Sequence, residues 1–295
     1  MPTASSDVCV WHKTDLRECP SNVHFRGKQT SRRKAATSVF DPKRTLTPDE
    51  AISRMFGQAE PILAKWCPVH RLGIFDEVRE RLILRRGGVA VFDHLSPRRT
   101  AHIVVDLQNG FMAPGEVAEV PVARAIVSNV NRISAALRAA GGLVVFMQHT
   151  ADAEAIRTWS VYFEHFFTPE RRARFIEAFT PGNPGHALWP ELDVGEQDVV
   201  VNKRRFGAFV PGSSDLHARL QERGIDTLIV SGTVTQVCCV STARDAMMMN
   251  YKVFFITDAC AAPTDAEHAG TLSAMAHTFC DVRDMQSVLG LIAAG

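Results

Sequence analysis

From about Thr100 onward the chain alternates short, continuously apolar runs with amphipathic helical stretches, and this alternation restricts the fold more than any other feature. HIVVDL (102–107), GLVVFMQ (142–148), DVVVNK (198–203), DTLIVSG (226–232) and YKVFFITDA (251–259) have the length of strands and the continuity of strands covered on both faces. Between the first two, VARAIVSNVNRISAALRAAG (122–141) sets Ile126, Val130, Ile133 and Leu137 on one helical stripe and closes on Gly141 and Gly142. SDLHARLQERG, VCCVSTARDAMMMN and DAEHAGTLSAMAHTF (265–279) read as further helices. Five such strands joined by right-handed crossovers predict a three-layer α/β/α sandwich with a mainly parallel, doubly wound, Rossmann-like sheet. In sheets of that kind ligands bind beyond the carboxyl ends of the strands.

The first 99 residues differ in character and are expected to form a partly disordered extension with short helices, ahead of a single α/β domain over 100–295. Residues 1–46 mix Ser, Thr, Lys and Arg, with a basic run from Arg26 to Arg33, and read as a solvated tail or a misassigned start. From Thr47, a Thr-Pro-Asp-Glu opening followed by Ile52, Met55 and Phe56 on one face predicts one or two short helices. Lys and Arg total 33 against 32 Asp and Glu, so no global basic field draws the chain to nucleic acid or to an anionic membrane. Its apolar runs are far shorter than the roughly 20 residues of a membrane span. Asp7, Asp15 and Glu18, with no apolar stretch beside them, argue against a secretory signal, and a cytoplasmic location is expected. Seven cysteines, an odd number in a chain long enough to hold its own core, argue against a disulfide framework. The Cys-x-x-His pairs at Cys9/His12 and Cys67/His70 have no neighbouring partners to complete a zinc site.

The strand ends point to chemistry. Asp106 ends the first apolar run, Lys203 ends the third, and SGTVTQVCC leads from the fourth into a helix, so a carboxylate, an ammonium and a thiol meet at one edge of the sheet. Singly, each has a plain structural role: Asp caps turns, Lys is solvated, Cys is buried. Capping and packing give no reason to select all three at successive strand ends. Together they make a nucleophilic site without histidine, in which a helix N-terminus and Lys203 are expected to lower the pKa of Cys238 below the usual value of about 8.5.

VVDLQNGF, VNKRRFGAF and SGTVTQVCCVSTARDA resemble the three signatures of the isochorismatase-like cysteine hydrolases, from about Thr100 to the C-terminus. The resemblance implies Asp106, Lys203 and Cys238 as a catalytic triad, with Cys239 a neighbour pointing elsewhere rather than half of a redox pair. It also implies a cis peptide between Thr233 and Val234, and an oxyanion hole made by the amides of Val234 and Cys238. Phe111 falls where the family supplies an aromatic wall, and Trp159 and Tyr162 are candidates for a lid; core packing is the rival role for all three. Asn109 and Gln236 are expected as polar groups near the pocket mouth. The family's nicotinamidase branch holds a metal through a D-x-H pattern, whereas this chain reads QHTADAE, so no metal and no other cofactor is expected and His149 reads as a pocket-wall or hydrogen-bonded residue. TVTQVCCVSTARDAMMMNYKV is most similar to the ureidoacrylate and biuret hydrolase branch, although Gln236 stands where that branch usually has Asn. The expected activity is cleavage of a small carboxamide or ureido compound through a thioester, in a homo-oligomer, dimer or tetramer. Alternatives are a non-catalytic binding protein on the same fold and a vinyl-ether hydrolase of the isochorismatase type.

Overall fold

The computed structural model describes His70 and residues 73–295. The basic tail, the helix expected after Thr47, Cys9, His12 and Cys67 lie outside these residues. Helix α1 (Asp76–Arg86) precedes β1 (Thr100–Val105), which is followed by α2 (Asn109–Met112), α3 (Val127–Ala139) and β2 (Leu143–His149). Three short helices, α4 (Ala153–Thr158), α5 (Ser160–His165) and α6 (Pro169–Phe179), fill the long connection to β3 (Val199–Lys203). Then come α7 (Leu216–Glu222), β4 (Thr227–Thr233), a π-helical turn (Thr235–Cys239) running into α8 (Val240–Met248), β5 (Lys252–Ala261), α9 (Asp265–Thr278), β6 (Asp281–Arg283) and α10 (Met285–Ala294). No helix among the described residues is long and apolar enough to cross a membrane.

The six strands form one parallel sheet in the order β3-β2-β1-β4-β5-β6. Successive side chains of a strand point to opposite faces, and the apolar runs divide accordingly. Val104, Val144, Phe146, Ile229 and Phe254 pack with Val130, Ile133 and Leu137 of α3 and with Val288 and Ile292 of α10. On the other face Ile103, Val105, Val145, Met147, Val230 and Phe255 meet Leu216 and Leu220 of α7, Ala243 and Ala246 of α8, and Leu272 and Met275 of α9. Helix starts are fixed by side chains: Asp152, Thr168, Thr264 and Asp284 accept amide bonds from the first turns of α4, α6, α9 and α10. The one imidazole inside β1, His102, is satisfied by Ser134 at 3.0 Å and Ser231 at 2.8 Å, and burial, with a smaller push from Arg138, brings its pKa down to about 3.

Two features depart from the sequence expectation. The sheet has a sixth strand, because β6 is three residues long and carries Asp281 and Arg283 rather than an apolar run. The residues just ahead of β1 are built into the α/β unit: Val78 and Leu82 of α1 join the core beneath α9, and the amides of Val91 and Phe92 donate to the buried Asp281 carboxylate at 3.0 and 2.8 Å.

Parallel strands β1 and β4 carry the reversal of strand order, and they meet most closely at Gly232, where φ is +116° and the pairing of β4 with β5 shifts register. A Cβ there would stand 2.1 Å from the Val105 carbonyl oxygen, a contact no rotamer relieves. Gly232→Ala is expected to lower stability by about 2 to 4 kcal/mol, seen as a lower urea midpoint at unchanged slope.

Candidate active site

Asp106 leaves β1 in the left-handed region, φ +53°, which is uncommon for a residue with a side chain and is held by its neighbours: its amide donates to the Met147 carbonyl at 3.1 Å and its carbonyl accepts the Gln108 amide at 2.8 Å. Lys203, the last residue of β3, pairs in register with His149 at the end of β2. From there its ammonium reaches 2.7 Å from Asp106 Oδ2, both side chains being fully buried, and donates to the Arg205 carbonyl at 3.0 Å. Cys238 lies in the π turn that follows β4, is 3% exposed, and is electrostatically coupled to both charged groups. Three strand ends thus deliver the three groups to one point, at the place where the strand order reverses.

Burial dominates the electrostatics of this cluster. It pushes Asp106 above the usual carboxylate range against the pull of Lys203. For Lys203 burial alone would lower the pKa, but the attraction of Asp106 and of Cys238 more than reverses it, so the ammonium stays charged. The Cys238 thiol is pushed up to about 12, chiefly by burial, with Lys203 pulling down and Asp106 pushing up. The expectation of a lowered thiol pKa is therefore corrected: burial outweighs the pull of Lys203 and raises it.

The turn around Cys238 carries the cis peptide that the resemblance implied. The Thr233–Val234 peptide is cis. The Val234 carbonyl accepts the amides of Val237 at 3.0 Å and Cys239 at 3.2 Å, and neither bond uses the amide of Cys238. Cys239 points away from the charged pair, its sulfur 4.0 Å from the Ser231 carbonyl and beside Cys260. Cys238, Cys239, Cys260 and Cys280 are all free thiols.

Comparison with known proteins agrees with this geometry. The family model described as the isochorismatase domain matches residues 100–287, well over half of the chain. The chain belongs to the isochorismatase family. A protein of Arabidopsis thaliana named a probable inactive nicotinamidase is 33% identical over 177 residues, 59% of this chain and 87% of that one. The ureidoacrylate amidohydrolase RutB of Klebsiella pneumoniae is 29% identical over 191 residues, 59% of this chain and 79% of its own length. Among solved structures, a cysteine hydrolase from Pseudomonas syringae superposes with a TM-score of 0.62 at 29% identity, covering 70% of this chain and 97% of that one.

Around Asp106, Lys203 and Cys238 the connection between β2 and β3 supplies a cluster of aromatic rings. Trp159 stacks on Tyr162 at 4.3 Å and meets Phe206 edge-on at 4.7 Å, with the Arg205 guanidinium 5.2 Å from its ring. Tyr162 touches Phe167 and Phe175 as well, and its hydroxyl is raised in pKa by burial and then by the charge of Cys238. Phe111 is buried against Phe179, centroids 4.6 Å apart. Two of the expected polar groups are engaged elsewhere: Asn109 Nδ2 donates to the Pro184 carbonyl at 2.8 Å, and Gln236 Nε2 to Glu267 at 3.2 Å, while Gln236 Oε1 is buried without a partner.

Sequence reasoning missed Gln108 and undervalued His149. Gln108 is buried and ties the ends of β1 and β2 together, accepting from the His149 amide at 2.7 Å and donating to the His149 and His186 carbonyls at 3.1 and 2.9 Å. Its signal was its place two residues after Asp106. His149 is 1% exposed, ringed edge-on by Phe111, Phe175 and Phe179, and has no hydrogen-bond partner on either ring nitrogen. Burial, then the charge of Lys203, holds its pKa well below the usual histidine value, so the imidazole is neutral. Among the described residues no three His, Cys, Asp or Glu side chains form a group fit for a metal ion.

The opposed pulls on the thiol give a test with a sign. Lys203→Met is expected to raise the pH at which Cys238 is alkylated, since the cation lowers the thiol pKa, and Asp106→Asn to lower it, since the carboxylate raises it. Iodoacetamide rates read against pH, with the modified peptide located by mass, measure both; shifts of the same sign would break the assignment.

Proposed function

We propose that this isochorismatase-family hydrolase is a cysteine-dependent amidohydrolase that cleaves a small carboxamide or ureido compound through a thioester. The observation that carries the reading is the fully buried 2.7 Å pair of Asp106 and Lys203 with the Cys238 thiol against it. A buried carboxylate whose pKa is raised is a better base than an ordinary one, and it faces the proton that must leave before sulfur attacks. In the first half-reaction Cys238 Sγ bonds to the carbonyl carbon as the thiol proton passes to Asp106. The amides of Val234 and Cys238 then hold the oxyanion, a contribution of roughly 3 to 4 kcal/mol per donor. As the C–N bond breaks, Asp106 returns the proton to the leaving amine. In the second half-reaction Asp106 takes a proton from water, the hydroxide adds to the thioester carbon, the C–S bond breaks and the thiol regains its proton. Lys203 stays charged throughout and keeps Asp106 in place.

The surroundings support a planar, neutral reacting group. Phe111 and Trp159 offer ring faces and edges, and His149, neutral and without a partner on either ring nitrogen, has a donor or an acceptor to offer a flanking polar atom of the substrate. Gln236 Oε1, also without a partner, suits an N–H donor. RutB, by its name, acts on a ureidoacrylate. A peptide or bulky ester leaves these groups unpaired, at about 1 to 3 kcal/mol for each buried one.

Cys238→Ala is expected to abolish turnover with the fold retained, and Cys239→Ala to keep it, because only the first thiol faces the charged pair. Asp106→Asn and Lys203→Met should each lower kcat by about two to four orders of magnitude. Ammonia release across a panel of ureido compounds, simple carboxamides and nicotinamide is the measurement. Ureido compounds are expected to react first, and activity is expected to survive dialysis against a chelator. Nicotinamide cleaved with every ureido compound ignored would overturn the substrate class; activity lost in Cys239→Ala and kept in Cys238→Ala would overturn the nucleophile.

A further inference from the structure

The family match begins at residue 100, yet the chain ahead of it reaches the turn that bears the thiol. His70 is the point of contact. Its Nδ1 lies 2.8 Å from Asp265 Oδ1, and its Nε2 accepts the Ala262 amide at 3.0 Å. A backbone amide only donates, so the ring proton sits on Nδ1 and points at the carboxylate. The His70 imidazole lies flat against that of His268, with centroids 4.0 Å apart and planes 12° from parallel. His268 is 1% exposed, and its Nδ1 is 3.0 Å from Thr235 Oγ1. Thr235 is the first residue of the π turn that carries Cys238. Beyond His70 the chain continues along α9: the Phe75 amide donates to Ser273 Oγ at 2.9 Å, Arg86 to the Ala276 carbonyl at 3.1 Å and Arg85 to the His277 carbonyl at 3.3 Å.

We propose that His70 is a positioning residue for the nucleophile, acting on Cys238 through His268 and Thr235, with the chain from residue 73 to Arg86 as the strap that holds it there. The inference rests on Cys238 being the nucleophile. The His70 ring is a plate, pinned at both nitrogens, that leaves the His268 ring one tilt; that tilt gives the Thr235 hydroxyl one partner, and the hydroxyl fixes the start of the turn. A π turn is an irregular piece of helix whose extra residue is held by local contacts, so its geometry depends on such a partner more than a regular helix would. Displacing a reacting atom by about 1 Å costs on the order of a hundredfold in rate, which makes a second layer of this kind effective without touching substrate.

The test uses the full chain and reads the thiol independently of any substrate. In His70→Ala the rate of Cys238 alkylation by iodoacetamide and kcat on a ureido substrate should both fall, by about tenfold, while KM stays within about twofold. Arg219→Ala removes an exposed ion pair with Asp215 at the start of α7, outside the strap, and should leave both rates at wild-type values. Asp265→Asn keeps an acceptor for the His70 Nδ1–H and should preserve both rates, whereas Asp265→Ala should lower them like His70→Ala; this pair decides the matter even where His70→Ala does not fold. Wild-type alkylation in His70→Ala, equal rates in the two Asp265 variants, or losses that follow only the folded fraction overturn the positioning role. Turnover retained in Cys238→Ala overturns the nucleophile assignment itself.

Discussion

The ion pair between Asp106 and Lys203 is the constraint to which the rest of the structure answers. Two fully buried charges are tolerable only as partners, and removing either typically costs about 3 to 5 kcal/mol through the charge left behind. The pair spans the sheet from β1 to β3, with β2 between them, so strand register, the left-handed turn at Asp106 and the Gln108 bridge all have to agree for the two atoms to meet at 2.7 Å. Once they meet, the local charge is balanced. The neighbouring thiol is raised in pKa chiefly by burial, and Lys203, shared with the Asp106 carboxylate, offsets that only in part.

The sequence made the strand ends legible because a parallel sheet buried on both faces writes its strands as apolar runs, and the residue at the end of each run must lie at the carboxyl edge. Asp106, Lys203 and Cys238 could be placed in this way without any knowledge of their contacts. The charge state of Cys238 could not, because it depends on burial supplied by residues far away in the chain. β6 escaped notice because three residues, two of them charged, make no apolar run. Asn109 and Gln236 read as free polar groups, but the Pro184 carbonyl and Glu267, 75 and 31 residues away, occupy their amides. His70 looked like one half of an incomplete Cys-x-x-His pair; its partner proved to be an aspartate 195 residues later. Contacts at such separations are set by the packing of α9 against the sheet, and no local pattern encodes them.

His102 and His149 show how one residue type serves two ends in one fold. Both are buried and neutral, and burial is the main cause in each. His102 sits inside β1 with a serine on either side and is complete. His149 sits at a strand end among phenylalanine rings and is incomplete. The first is what a polar residue in a core must look like to be tolerated there; the second leaves both of its ring nitrogens without a partner.

The aromatic cluster bears on how substitutions combine. Trp159, Tyr162, Phe163, Phe167, Phe175 and Phe206 are joined by ring contacts into one continuous patch, so displacing one ring strips contacts from its neighbours. Each ring in such a patch is held by its neighbours as much as by its own backbone, so a substitution at one position is felt at the others, and the six residues answer to change as a single unit.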